Sequence, residues 1–140
     1  MAKKIFVNLP VKNLEKSKEF FSKLNFKFDK RFCDENACCV IISKDIYAML
    51  LVEKFFNNFT NKKIIDTTKN TEVILALGAE SKKEVDEMME IVKSSGGKET
   101  RPSEDHGWMY QRSFEDIDGH LWEIGYMDEK NMPEEMKNKK

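Results

Sequence analysis

The segment EDIDGHLWEI (115–124) contains the residues whose types and spacing most suggest chemistry. Glu123 lies between Trp122 and Ile124, and His120 lies three residues before it. A carboxylate and an imidazole could bind a metal ion, and a carboxylate in a pocket could act as a general base. Alternation along a strand puts positions 120 and 123 on opposite faces, so His120 is not expected to join Glu123. Alternation alone also allows Glu123 to face solvent.

Three further candidates lie in the segment WMYQRSFED (108–116). Trp108 and Tyr110 are aromatic, and Arg112 is a long cation within a predicted strand. Small-molecule sites combine aromatic walls with a few polar groups, which makes these three residues candidates for substrate binding. The structural alternatives are that the aromatic rings belong to the core or to the interface of the modules, and that Arg112 has a surface role, which we favour over its pairing with a Glu or a substrate carboxylate.

The chain has three cysteines, Cys33, Cys38 and Cys39. The number is odd, and the adjacent pair points to opposite faces of a strand, so those two cannot chelate one zinc ion together. We therefore expect buried free thiols in a reducing compartment.

The overall composition describes an ordinary globular domain. The chain has 140 residues, of which 35% are charged, and the charges nearly cancel to a net charge of −1. This balance argues against disorder and gives no electrostatic reason to bind nucleic acid or an anionic membrane. There is no N-terminal apolar segment of signal-peptide length and no apolar run near the roughly 20 residues of a membrane helix. We therefore expect a cytoplasmic protein without nucleic-acid or membrane partners.

The first half of the chain predicts a strand, a helix and then three strands. Asn13 is a good N-cap for the helix, Glu15 lies in its first turn, and Leu14 and Leu24 lie on its apolar face. The strands are predicted over 3–11, about 26–32, 37–43 and 46–53.

The second half repeats this order of elements. Ser81 and Glu84 form a capping-box pattern, and Gly96 and Gly97 end the helix. Strands are predicted over 71–79, 108–116 and 120–128, with a short extended piece over 98–107. The order predicts an α+β domain of two βαβββ modules, about 3–53 and 71–128. A linker over 54–70 joins them, and a charged tail from 129 to 140 is expected to fray.

Three segments together resemble the glyoxalase/bleomycin-resistance/extradiol dioxygenase group, the vicinal oxygen chelate superfamily. They are VNLPVKNLEKSKEFFSKLNF, ESKKEVDEMMEIVKSSGG and, most specifically, SFEDIDGHLWEI, which resembles the F-x-D-P-D-G-x-x-x-E ending of that family. The resemblance covers residues 3–128. It implies two curved sheets around a cavity that binds a small molecule, and a homodimer.

The resemblance also implies a divalent metal (Zn, Ni, Mn or Fe) held by residues of the modules' first and last strands. Glu123 matches the last ligand position, Glu72 the first strand of the second module, and Asn8 the opening strand. The position in the first module's last strand falls on Met49 or Leu51, which are not ligands for a hard cation. Glu53 lies at the far end of that strand.

Three functions follow as hypotheses from the resemblance. The first is an enzyme like lactoylglutathione lyase, an isomerase or a dioxygenase, in which Glu123 is the catalytic base or a metal ligand. The acidic pair Glu72 and Glu123 favours it. The second is a metal-free protein that sequesters a drug or metabolite, as bleomycin-resistance members do, and the missing ligand favours it. The third is a dimeric scaffold with a vestigial cavity.

Overall fold

The computed structural model describes residues 1–139, which fold into two compact units, Met1–Asn70 and the part from Thr71 onward. Each unit contains a strand, a helix and three more strands, and each forms one four-stranded sheet. The predicted α+β fold of two βαβββ modules is confirmed.

The first unit contains a four-stranded sheet with strand order β1-β4-β3-β2. Strand β1 is parallel to β4, and the other pairs are antiparallel. The elements are β1 (Ile5–Val11), α1 (Leu14–Lys23), β2 (Lys27–Asp29), β3 (Ala37–Ser43) and β4 (Ile46–Val52). Strand β2 is shorter than predicted, because a 3₁₀ turn takes over at Lys30–Phe32.

Helix α1 begins where the sequence predicts. The Asn13 side chain accepts a hydrogen bond from the Lys16 backbone N–H, which satisfies one of the free donors at the helix start. One face of the helix is buried against the sheet, through Leu14, Phe20 and Phe21. Burial of such side chains is worth about 1.5–3 kcal/mol each, so this face fixes which side of the sheet is covered.

The cysteines differ from the prediction at one point. Cys33 and Cys38 form a disulfide, and only Cys39 is the buried free thiol that the sequence predicts. The reason is a tight turn between them, in which the Asp34 side chain accepts hydrogen bonds from the N–H groups of Asn36 and Ala37. This turn returns the chain on itself within five residues, whereas the prediction considered only the adjacent pair.

The segment after β4 is partly helical. Helix α2 (Glu53–Phe56) begins immediately after β4, and a 3₁₀ turn follows at Asn57–Phe59. The rings of Phe55 and Phe59 meet edge to face, with centroids 5.2 Å apart. Glu53 thus belongs to this helix and lies beyond the strand.

The second unit repeats the topology, with strand order β5-β8-β7-β6 and a parallel β5/β8 pair. Its elements are β5 (Ile74–Ala79), α3 (Lys82–Ser94), β6 (Lys98–Asp105), β7 (Met109–Glu115) and β8 (Leu121–Met127). Strand β6 is a full strand with two register shifts, whereas the sequence predicted only a short extended piece.

The tail that was predicted to fray forms a 3₁₀ turn at Glu129–Asn131 and the short helix α4 (Glu134–Lys137). Lys140 lies outside the described residues. Among residues 1–139, no helix is long and apolar enough to cross a membrane.

Helix α3 confirms the predicted start and end signals. The Ser81 hydroxyl accepts from the Glu84 N–H at 3.1 Å, while the Glu84 carboxylate accepts from the Glu80 N–H at 2.9 Å. Gly96, at a φ of 100°, follows the helix in a conformation that favours glycine. Val85 and Met89 are fully buried, so this helix covers one face of the second sheet and leaves the other face open.

Candidate functional site

Glu123 lies in the middle of β8 on the face that α3 does not cover. Its neighbours Trp122 and Ile124 are each 1% exposed and belong to the core, and alternation turns Glu123 the other way. The Glu123 side chain is nevertheless only 20% exposed, because neighbouring strands flank it. The carboxylate is therefore both accessible and partly screened from water.

Strand register places three other residues in one row with Glu123. Ala76 of β5 is its partner on one side, Ser113 of β7 is its partner on the other, and Arg101 of β6 is the partner of Ser113. Arg101 Nη2 lies 3.1 Å from Glu123 Oε2, and Ser113 Oγ lies 3.5 Å from the same oxygen. Both donors thus use Oε2, and within residues 1–139 Oε1 accepts no hydrogen bond.

Arg101 contacts a second carboxylate as well. Its Nη1 lies 3.0 Å from Glu104 Oε1, and His106 Nε2 lies 3.7 Å from Glu104 Oε2. The register shifts of β6 fall between Glu99 and Arg101 and between Arg101 and Glu104. These irregularities bring Arg101 and Glu104 onto the face of Glu123, where charge-assisted hydrogen bonds join them.

Two glycines leave open space beside this row. Gly78 of β5 and Gly125 of β8 are register partners, on the same face as Glu123. A Cβ atom at Gly78 would meet nothing within 4 Å, and one at Gly125 would meet the Tyr110 carbonyl oxygen at 3.5 Å. The backbone is thus accessible next to the carboxylate, which is a common reason for glycine within a strand.

The turn before β8 is organised by Asp116, which sequence reasoning missed. This residue is 4% exposed, and its carboxylate accepts hydrogen bonds from the Asp118 and His120 N–H groups and from the Trp122 indole. Burial raises the pKa of the Asp116 carboxyl, while His120 and the Trp122 hydrogen bond oppose the rise. Gly119 supplies the positive φ of 87° that the turn requires. The turn therefore sets the register that presents Glu123.

Tyr110 and Arg112 lie on the other face of the second sheet, against α3. The Tyr110 hydroxyl donates to Asp86 at 2.6 Å, and Arg112 Nη1 lies 2.9 Å from Asp86. Arg112 also forms a bidentate pair with Glu99, at 2.8 and 2.9 Å. Arg112 therefore joins the helix to the sheet, and the surface role favoured for it is wrong because its side chain is only 13% exposed and is paired with two carboxylates. Neither Tyr110 nor Arg112 shares a face with Glu123.

Trp108 occupies the turn between β6 and β7. It is half-buried, and its carbonyl oxygen accepts a hydrogen bond from the Asp128 N–H at 2.6 Å. The backbone contact ties this turn to the end of β8. A role of the Trp108 ring in substrate binding stays a prediction.

The residues predicted to share a metal with Glu123 do not surround it within the second unit. Glu72 is exposed and precedes β5 by two residues, and Ala76 occupies the β5 position beside Glu123. Asn8 belongs to the first unit, where its amide donates to the Phe6 carbonyl oxygen at 3.3 Å and its register partner is Met49.

The donor set thus does not fit the divalent metal that the resemblance implies. Within residues 1–139, no group of three or more His, Cys, Asp or Glu side chains is arranged to hold a metal ion. At Glu123 the neighbouring groups are a hydroxyl and a guanidinium, and a guanidinium has no lone pair to give to a metal.

The sequence offered little signal for Arg101 and Ser113. Arg101 lies 22 residues from Glu123 in the chain, within a segment that did not predict a regular strand. Pairing β7 with β8 across the Asp118-Gly119 turn would have placed Ser113 opposite Glu123, and this was the one available clue.

Solved structures with the same fold come from several bacteria. A hypothetical protein from S. aureus is 27% identical, with a TM-score of 0.76 over 90% of this chain and 95% of that chain. A glyoxalase-related enzyme from Fulvimarina pelagi is 18% identical, with a TM-score of 0.77 over 90% and 88%. A genomically encoded fosfomycin resistance protein from Listeria monocytogenes is 19% identical, with a TM-score of 0.65 over 90% and 93%.

The last two likenesses show the fold alone, since their sequence identities are low. No functionally curated protein matches the chain in sequence. The family model of the Glyoxalase/Bleomycin resistance protein/Dioxygenase superfamily matches residues 5–124, from β1 into β8. The match includes Glu123 and covers most of the chain, and the chain therefore belongs to the Glyoxalase/Bleomycin resistance protein/Dioxygenase superfamily.

Proposed function

We propose that the protein binds and sequesters a small molecule on the open face of the second sheet, around Glu123. The observation that carries this proposal is the Glu123 carboxylate itself. It is held at Oε2 by Arg101 and Ser113, and Oε1 remains as an acceptor for a ligand. A few oriented polar groups beside accessible backbone are typical of small-molecule sites.

One feature supports sequestration in preference to metal-dependent chemistry. The groups nearest to Glu123 do not include the ligands that a catalytic metal needs. A structurally similar protein is a fosfomycin resistance protein, which makes fosfomycin one of the compounds to test.

Ligand-induced stabilisation tests this proposal. We expect fosfomycin, bleomycin or a glutathione hemithioacetal to raise the midpoint temperature of thermal unfolding. At a ligand concentration 100 times Kd, binding adds about 2.7 kcal/mol to the free energy of unfolding. Glu123→Gln should remove the shift. Glu115 of β7 is another carboxylate on the same face of the sheet as Glu123, so Glu115→Gln is the matched control. If none of the compounds shifts the wild-type protein, sequestration of these three classes fails, and an unchanged shift in Glu123→Gln would move the site elsewhere.

An enzymatic function is the second candidate, and the same carboxylate favours it. A carboxylate with an unoccupied oxygen could remove a proton from a bound ligand, and such general bases contribute typically 10²–10⁴-fold to rates. Turnover of a hemithioacetal that falls by about that factor in Glu123→Gln would support a lyase or isomerase. Binding without turnover would support sequestration.

The homodimer is proposed from the family resemblance, and the cytoplasmic location is proposed from the apolar pattern of the sequence. Light scattering on the purified protein gives the mass in solution directly. A mass of 16.4 kDa would correspond to one chain and would contradict the dimer.

A further inference from the structure

A positive charge already lies against one oxygen of the Glu123 carboxylate. The Arg101 guanidinium lies between two carboxylates, with Nη2 3.1 Å from Glu123 Oε2 and Nη1 3.0 Å from Glu104 Oε1. The two carboxylates come from different strands, so the guanidinium connects β6 to β8 across β7.

The two carboxylates that Arg101 joins, with a nearby imidazole, are groups that could bind a hard cation. Glu123 and Glu104 each give one oxygen to Arg101, and His106 lies 3.7 Å from the other oxygen of Glu104. Carboxylates are the ligands that Mn²⁺ and Mg²⁺ prefer. A divalent ion bound to these carboxylates would therefore lie beside the Arg101 guanidinium, and Coulomb repulsion between the two positive charges opposes its binding.

We propose that Arg101 takes the place of a divalent cation at Glu123 and determines the specificity of a metal-independent site. The guanidinium neutralises the carboxylate, fixes its Oε2 and excludes the metal. The site then offers guanidinium N–H groups as hydrogen-bond donors and Oε1 of Glu123 as an acceptor. A ligand that binds both must carry an acceptor for the guanidinium next to a donor for the carboxylate. This inference deepens the binding function proposed above and depends on it only for the presence of a ligand.

Metal titration of the full chain tests the role of Arg101 without any knowledge of the ligand. The protein is stripped with EDTA, and Mn²⁺ binding is followed by calorimetry and by the electron paramagnetic resonance signal of the free ion. We expect Arg101→Met to bind Mn²⁺ at least about tenfold more tightly than the wild-type protein, because a repelling unit charge is removed.

Three further variants separate this explanation from a general effect of mutation. Arg101→Lys keeps the charge and should bind Mn²⁺ as weakly as the wild-type protein does. The double variant Arg101→Met/Glu123→Gln should lose the gain. Arg31→Met removes an arginine that is paired with a carboxylate, Asp29, in the first unit, and should leave Mn²⁺ binding unchanged. Circular dichroism establishes that each variant is folded.

Two results would overturn the inference. If the wild-type protein binds one equivalent of Mn²⁺ as tightly as Arg101→Met does, the guanidinium does not exclude the ion. If Arg101→Met is folded and binds no better than the wild-type protein, the guanidinium is not the reason for exclusion. Ligand-induced stabilisation is measured separately, so failure of this inference is distinguishable from failure of the binding function.

Discussion

The two units use the same strand pairing to present different chemistry on the face that the helix leaves open. In the first unit, Met49 is the counterpart of Glu123, because Ala48 and Leu50 flank it as core residues in the way that Trp122 and Ile124 flank Glu123. Register then aligns two rows across the sheets: Asn8, Met49, Cys39 and Asp29 in the first unit, and Ala76, Glu123, Ser113 and Arg101 in the second.

The comparison separates what the fold needs from what a site needs. On the helix-covered face both units require buried apolar side chains, since hydrophobic burial holds the helix on the sheet. On the face opposite the helix, the first unit has the Met49 thioether and the buried Cys39 thiol where the second has a carboxylate and a hydroxyl. The module therefore tolerates either chemistry, and among residues 1–139 the charged network across the strands of this face lies in the second unit.

The ion pairs of the two rows also differ in the separation of their partners along the chain. Asp29 pairs with Arg31, two residues away, at 2.7 Å, so this ion pair stays within a turn. Arg101 instead reaches Glu123, 22 residues away. An interaction across strands orients a side chain on the face of the sheet, and this orientation is what a binding site requires.

The largest expected effect concerns the core beneath Glu123. Trp122→Ala should lower the free energy of unfolding by about 3–5 kcal/mol, because it leaves a cavity and removes the indole donor to Asp116. Urea unfolding followed by circular dichroism measures this loss, and Trp108→Phe is the control at a half-buried aromatic position. A loss below about 1 kcal/mol would show that the second unit can use alanine here, as the first unit does at Ala48.

The next effect concerns the ion-pair network under α3. Arg112→Met should cost about 2–3 kcal/mol at neutral pH, since it leaves the partly buried Glu99 without its bidentate partner. Arg31→Met removes an exposed ion pair that solvent screens, so it should cost much less stability than Arg112→Met. Equal losses in the two variants would contradict a stabilising role that is specific to the second unit.

The same network predicts a dependence of stability on pH. Hydrogen bonds from Arg112 lower the pKa of Glu99, and hydrogen bonds from Tyr110 and then Arg112 lower the pKa of Asp86. Because these pKa values are lower in the folded state, the stabilisation is present above the ordinary values of 4.5 and 3.8 and is lost as the pH falls through the lowered values. The stability difference between wild type and Arg112→Met should therefore shrink in acid, and a difference that stays constant down to the acid limit would contradict this explanation.

Exchanging the residue types of the two counterparts, Met49 and Glu123, should have a smaller effect on stability. Met49→Glu puts a carboxylate beside Cys39 without an arginine in the row, and we expect a cost of about 1–3 kcal/mol. Glu123→Met should cost less, because it removes a charge from an open face. Thermal unfolding of both variants gives the order directly, and a reversed order would mean that the first unit can accommodate a charged row.

The smallest effect is a difference in reactivity with no change in fold. Burial raises the pKa of the Cys39 thiol, so little thiolate forms at neutral pH. Iodoacetamide should therefore leave Cys39 unmodified in the native protein and modify it in urea, as measured by mass spectrometry. Ser113→Cys places a thiol at the equivalent position of the second row for comparison. Rapid native modification of Cys39 would contradict its burial.

Much of the fold could be predicted because its signals are local. The helix caps at Asn13 and Ser81 and the Asp118-Gly119 turn depend on neighbouring residues, and the structure confirms them. The register shifts in β6 and the turn that joins Cys33 to Cys38 depend on contacts that no periodic pattern encodes.

The site was only partly predictable for the same reason. Glu123 was singled out because its spacing from the Asp118-Gly119 turn matches a ligand position of the family that the sequence resembles, and its role in binding is a proposal. Arg101 could not, because its position depends on the irregular pairing of β6 with β7. Tyr110 and Arg112 were singled out by residue type. Period-two alternation alone places their side chains on the other face of the sheet from Ser113, and therefore on the other face from Glu123.

The strip formed by Gly78 and Gly125 has a consequence for how this protein could diversify. A side chain added at Gly78 meets no atom within 4 Å, and the backbone there does not require glycine. Replacement of this residue would change the space beside Glu123 without disturbing the core or the turn at Asp116. On the binding function proposed above, we expect single substitutions at Gly78 to change the size of molecule that this surface accepts at little cost in stability, so that selection could act on ligand range separately from folding.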